Sequence, residues 1–264
     1  MSAKSATTRR SGSRRQNQRQ SELVLINNNV TAIKEGPTQK HWTKHDLKIV
    51  RPLTENQHDM FRQYFQGDNI VAFGSAGTGK SFLALYLALC DILDGNKPQE
   101  RIIIVRSAVT TRELGFMPGS LDEKIALFET PYKDILQELF GRINTYENMK
   151  EADLIRFTVT SYIRGITWDN AVIIVDEGQN MTDHEIHSIM TRVGTNSRVV
   201  FTGDLAQNDL VSGKRAEKSG MKRLLKVIER MPEFSTVCFT TEDIVRSDFV
   251  KSWIVASEQV GPED

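Results

Sequence analysis

No apolar run in this 264-residue sequence approaches the roughly 20 residues a helix needs to cross a bilayer, so no membrane-spanning role is expected. The N-terminus lacks the apolar core of a secretory signal, and its Arg- and Ser-rich start shows no cleavage logic of a transit peptide. Cysteine is scarce. Cys90 and Cys238 stand alone within apolar stretches, which reads as two buried thiols in a reducing cytoplasm rather than a disulfide framework. Internal repeats are absent. Net charge is absent too: 34 Lys+Arg face 34 Asp+Glu, so the overall balance argues for no partner. The distribution is less neutral. Residues 1–20 carry Lys4, Arg9, Arg10, Arg14, Arg15 and Arg19 and no acid, which leaves the remainder acidic on balance.

The length suits one well-buried domain or two small ones. Residues 1–20 hold almost no apolar side chain and are expected to form a disordered basic tail, either a solubilising segment or an arm that contacts nucleic-acid phosphates. Residues 21–52 read as a short β-rich extension with "LVLI" and "LKIV" as its apolar pieces. Within it Trp42 stands among Lys40, His41, Lys44 and His45, as a base-stacking aromatic or as a partly buried one. From residue 53 to 264 the pattern is regular. "NIVAFG", "RIIIVR", "IRFTVTS", "NAVIIVDE", "SRVVFTGD" and "STVCFTT" are apolar runs rather than alternations, as strands buried on both faces read. Helical patterns lie between them, near 80–93, 121–140, 183–193, 218–230 and 246–257, with another at 55–66. Strands alternating with helices predict an α/β fold: a mostly parallel sheet with helices on both faces.

The stretch "FGSAGTGKSF" fits G-x-x-x-x-G-K-[ST] between an apolar strand and an apolar helix. Its residues Gly74, Ser75, Ala76, Gly77, Thr78, Gly79, Lys80 and Ser81 are expected to cradle a nucleoside triphosphate. Glycines free the backbone to turn N–H groups inward, the helix N-terminus adds its positive end, Lys80 reaches the β- and γ-phosphates, and Ser81 supplies a Mg²⁺ ligand. "AVIIVDEGQNMT" brings Asp176 and Glu177 to the carboxyl end of a strand, where open α/β sheets bind ligands. Asp176 suits Mg²⁺, and Glu177 suits polarisation of an attacking water, which tilts the reading toward hydrolysis. In "VVFTGDLAQND", Gln207 is positioned to contact a γ-phosphate or its water, or to report hydrolysis to the rest of the fold. Gln57 has the donor and acceptor that adenine needs, yet with Thr54 it also fits a helix capping box. "HEIH" at 184–187 is one residue short of a zinc motif; Thr182 and Glu185 fit a capping box, with His184 and His187 on the helix surface.

Together these stretches resemble the PhoH-like ATPase family, which is similar to the first RecA-like core of superfamily 1 helicases. The resemblance covers about Leu53 to Ala256 and rests on "GSAGTGKS", "VRSAVTTRELGFMPGSLDEKI", "SYIRGITW", "VIIVDEGQNMT", "TGDLAQND" and "EDIVRSDFV". It implies a RecA-like P-loop NTPase fold and ATP as the nucleotide. It marks Gln57, Lys80, Ser81, Asp176, Glu177 and Gln207 as counterparts of helicase motif residues, and adds Arg106, Arg164 and Arg246. Departures are mild: Gly178 stands where Ala is usual, and Ser81 where Thr is frequent. The roughly 50 residues before the ATPase core are too few for the PIN nuclease domain some relatives carry. The roughly 60 after "TGDLAQND" are too few for a second RecA-like core.

The reading is a Mg²⁺-dependent ATPase coupled to single-stranded nucleic acid, RNA before DNA, in the cytoplasm of a bacterium or phage-infected host. A nucleotide-switched binding or assembly protein is its rival, a metabolite kinase a weaker one. With no second core, a γ-phosphate cation is expected from a neighbouring copy in a head-to-tail ring. Arg246 or Arg164 would supply it, unless Arg246 pairs with Asp243 or Asp248 on the surface.

Overall fold

The computed structural model describes residues 24–26, 29–31, 42–107, 121–204 and 219–260. By its contacts the chain divides into two compact units, residues 1–40 and 41–264. The first holds a short antiparallel pair, β1 (Val24–Ile26) and β2 (Asn29–Thr31). The piece "LKIV" forms no strand. Leu47 is instead buried in the second unit's core, and the Lys48 N–H donates to the Leu139 carbonyl at 2.8 Å.

The second unit is built on six parallel strands, β3 (Asn69–Gly74), β4 (Arg101–Arg106), β5 (Ile155–Val159), β6 (Ala171–Val175), β7 (Arg198–Gly203) and β8 (Phe234–Phe239). Their order across the sheet is β5-β4-β6-β7-β3-β8, with Ile70 opposite Val200 on one side and Ser235 on the other. The helices are α1 (Glu55–Gln66), α2 (Lys80–Ile92), α3 (Leu121–Phe140), α4 (Thr145–Glu151), α5 (Asp183–Met190), α6 (Met221–Ile228) and α7 (Asp248–Val260). This is the α/β sheet with helices on both faces that the apolar runs predict.

The runs are continuous because each strand feeds two cores in alternation. Ile70, Ile102, Ile104, Val172, Ile174 and Val200 pack with α1, α2, α3 and α4. Val71, Ile103, Val105, Ile173, Val175 and Phe201 pack with α5 and α6. Each fully buried aliphatic side chain contributes about 1.5–3 kcal/mol. Cys90 lies in the first core as expected, but Cys238 is exposed. Its strand β8 is an edge with one open face, so the alternation that buries Val237 and Phe239 turns Cys238 outward.

At the amino end of β7 a buried charge cluster ties three elements together. Arg198 donates to Asp91 Oδ2 at 2.8 Å and to the Tyr64 and Asp68 carbonyls, and its guanidinium lies 3.7 Å from the Tyr64 ring centroid. The Tyr64 hydroxyl donates to Asp91 at 2.7 Å. Trp42 is buried edge-on against Phe140, at 5.1 Å between centroids, so it is a packed aromatic and offers no free face to a base.

Candidate nucleotide site

Three adjacent strands explain why motifs a hundred residues apart meet. β6, β7 and β3 lie side by side, so the turns after Val175, Gly203 and Gly74 open at the same edge of the sheet. They border a cleft of about 680 Å³. The loop needs its glycines for steric reasons. Gly74 has φ +120°, and a Cβ there would stand 1.9 Å from the Phe239 carbonyl oxygen of the neighbouring strand. Gly79, at φ +84°, is the left-handed residue from which α2 departs.

Lys80 folds back across this loop. Its Nζ donates to the Gly74 and Ser75 carbonyls at 2.7 and 2.6 Å and to Thr78 Oγ1 at 3.2 Å. Burial draws the amine below the ordinary lysine range, against the opposing charges of Asp204, Glu177 and Asp176.

Asp176 receives three hydroxyls. Ser81 Oγ donates to its Oδ1 at 2.7 Å, Thr202 Oγ1 donates to the same oxygen, and the Tyr132 hydroxyl donates to Oδ2 at 2.6 Å. Burial, and then the Asp176 charge, push the Tyr132 phenol well above its usual range. Two hard oxygens, from Ser81 and Asp176, thus converge beside the loop. They fit Mg²⁺, which takes one or two protein oxygens and completes its octahedron with phosphates and water. No group of three or more His, Cys, Asp or Glu side chains suited to a metal occurs among the described residues. His184 and His187 are exposed on α5, whose capping box is formed by Thr182 and Glu185.

Glu177 sits at φ +54°, a left-handed backbone unusual for a residue with a long side chain. Its carboxylate accepts from Gln179 Nε2 at 2.5 Å, and the Arg106 guanidinium lies 3.8 Å away. Burial, then the neighbouring Asp176, raise this carboxyl above the usual glutamate range, partly countered by Arg106. Gln179 is buried and bridges to the next strand, its Oε1 accepting from the Asp204 N–H at 2.9 Å.

Gln57 does not close a capping box. Thr54 caps α1 by accepting from the Gln57 N–H, but the Gln57 side chain accepts from the Leu53 N–H at 2.8 Å and donates to the Thr78 carbonyl at 3.0 Å. One amide hydrogen and one lone pair are left over, on a residue that lines the cleft. Arg246 also lines the cleft of its own chain, its Cγ 3.2 Å from where a Gly77 Cβ would stand. It forms no ion pair among the described residues; Asp243 accepts instead from Asn56 and Thr240. Arg164 is exposed in the segment after β5 and is not among the residues that line the cleft. Gln207 and the "LGFMPG" stretch lie outside the described residues.

Tyr132, Thr202 and Gln179 were not visible as site residues in the sequence. The only trace of Thr202 was a hydroxyl at the end of an apolar run; Tyr132 left none.

The family described as PhoH-like protein matches residues 49–258. A PhoH-like protein of Bacillus subtilis is 33% identical over 213 residues, 80% of this chain and 65% of its own length. Protein PhoH of Escherichia coli K12 is 35% identical over 180 residues, 67% of this chain and 49% of its own length. The chain therefore spans between about half and two thirds of the curated relatives it matches. Among solved structures, the large terminase from a thermophilic bacteriophage overlaps 77% of this chain and 50% of its own, with TM-score 0.47 and 13% identity. A Pif1 helicase from Candida albicans overlaps 76% of this chain and 43% of its own, with TM-score 0.34 and 16% identity. Those two likenesses are too slight to carry the fold, which rests on the strand order and the loop. No helix among the described residues is long and apolar enough to cross a membrane.

Proposed function

The chain belongs to the PhoH-like protein family, and from that premise and the geometry of its cleft we propose that it is a Mg²⁺-dependent ATPase that couples hydrolysis to single-stranded nucleic acid, RNA before DNA. The observation that carries the ATPase reading is the convergence of Lys80, the Ser81–Asp176 pair and Glu177 on one cleft at the ends of three adjacent strands. In this reading Lys80 leaves the loop carbonyls for the β- and γ-phosphates, whose charge exceeds that of the carbonyl dipoles holding it. Ser81 and Asp176 hold the metal, which when bound draws charge from the transferring phosphoryl group. Glu177, tethered by Gln179 and faced by Arg106, orients a water for in-line attack. Arg246, at the lip of its own chain's cleft, is the candidate cation for the γ-phosphate, supplied within the chain or by a neighbouring copy in a ring. Gln57 reads adenine with its remaining donor and acceptor while Leu53 and Thr78 keep its amide from flipping.

The nucleic-acid partner is supported by the six cations of residues 1–20. The experiment is phosphate release from ATP with and without single-stranded RNA, on the full chain and on a chain lacking residues 1–20. The expected result is stimulation that falls steeply with salt, with a flatter salt slope and an unchanged basal rate in the shortened chain. A slow rate indifferent to RNA and DNA would replace this reading with a nucleotide-switched binding protein. Transfer of phosphate to a small acceptor would replace it with a kinase.

A further inference from the structure

Asp176 is tied at once to α2, α3 and β7. It is only 5% exposed, and each of its carboxylate oxygens is fixed by a hydroxyl from a different element. The hydroxyls of Ser81 and Thr202 share Oδ1. When Ser81 turns a lone pair toward a metal its proton leaves that contact, and the carboxylate then depends on Thr202 and Tyr132 for its direction. Tyr132 is the stiffer of the two. Its ring is buried in the core beside Phe157, at 6.0 Å between centroids, so the hydroxyl's place is set by the packing of α3. A phenylalanine would fill the same space, so packing alone does not call for the oxygen. The neighbouring α3 residues Pro131 and Ile135 line the nucleotide cleft itself, so one helix touches both the nucleotide's surroundings and the metal's carboxylate.

We propose that Tyr132 is a positioning residue: its hydroxyl fixes the metal-facing direction of the Asp176 carboxylate and makes tight binding of Mg²⁺·nucleotide depend on the seating of α3. The proposal rests on the ATPase reading above, and deepens it. With the hydroxyl gone, Oδ2 loses a charge-assisted hydrogen bond, and once Ser81 turns to the metal only Thr202 is left to set the carboxylate's direction. Nucleotide held only by the loop and Lys80 does not sense this. Nucleotide held through the metal does.

The test is Tyr132→Phe, titrated with the fluorescent analogue mant-ATP in EDTA and again over a range of Mg²⁺ concentrations. Wild type is expected to bind in EDTA and to bind more tightly with Mg²⁺. The variant is expected to match wild type in EDTA within about twofold while needing about tenfold more Mg²⁺ for half of the tightening, the size of one charge-assisted hydrogen bond. An unchanged Mg²⁺ requirement overturns the proposal. Loss of binding in EDTA as well overturns it too, because the hydroxyl would then be supporting the fold of the whole cleft. If wild type itself binds no mant-ATP, the failure lies with the ATPase reading and not with Tyr132.

Discussion

Replacing Glu177 with glutamine separates binding from chemistry. The change keeps the shape of the side chain, and the new amide oxygen still accepts from Gln179, so the tie to Asp204 and β7 survives. What disappears is the negative charge. Three magnitudes follow. Hydrolysis should fall by roughly 10²- to 10⁴-fold, the span for loss of a general base, or about 3–5 kcal/mol of barrier. Binding of Mg²⁺·ATP should hold or tighten slightly, since an anion beside the phosphates is gone. Stability should hold or rise slightly. The ion pair lost with Arg106 is long, 3.8 Å, and the Glu177 side chain is 38% exposed, which limits its worth to about 1 kcal/mol or less. Against that, the carboxyl's raised titration point means the folded state disfavours its charge at neutral pH. A carboxyl raised on folding costs stability above its unfolded titration point, and glutamine carries no such cost. The assay pairs phosphate release with mant-ATP binding and a thermal melt on the same preparation. A turnover within tenfold of wild type, or a melting temperature several degrees lower, would refute the reasoning and make Glu177 a structural residue.

Lys80→Ala should abolish hydrolysis and most nucleotide affinity while leaving the fold intact, because the amine's hydrogen bonds all go to oxygens of the loop; wild-type phosphate release from that variant would remove the phosphate-loop assignment. Asp91→Ala leaves the buried Arg198 guanidinium without its counter-charge and should cost about 3–5 kcal/mol, a fall in melting temperature on the order of 10 °C by calorimetry. A fall under about 2 °C would mean that water reaches the pair.

The strands were legible to within about two residues because burial on both faces leaves an unbroken apolar run. The phosphate loop was legible because its spacing is fixed by local backbone geometry. Helix α4 was missed: at seven residues it carries too little periodicity, and its Tyr146 and Met149 are buried by contact with the rest of the core. Gln57 was readable only as two competing roles, and the structure shows why. Its backbone is capped by Thr54 while its side chain crosses to Thr78, a contact between residues 21 positions apart. Tyr132 and Gln179 act through partners set by strand order and helix placement, which no local spacing encodes. Cys238 was misread because the sequence does not say which strand lies at the edge of the sheet.

The strand order also sets a schedule for synthesis. The phosphate loop leaves the ribosome with β3, well before both strands that flank it: residue 70 pairs with residues 200 and 235. The strand after β3 goes elsewhere in the sheet, and β6 and β7 must later fill the gap between them. Contacts this distant along the chain form slowly, after the loop entropy of everything between them has been lost. The carbonyl of Phe239, against which Gly74 is packed, emerges long after the loop itself. A nascent chain therefore displays the loop sequence long before it can grip a phosphate, and nucleotide can reward only the finished sheet.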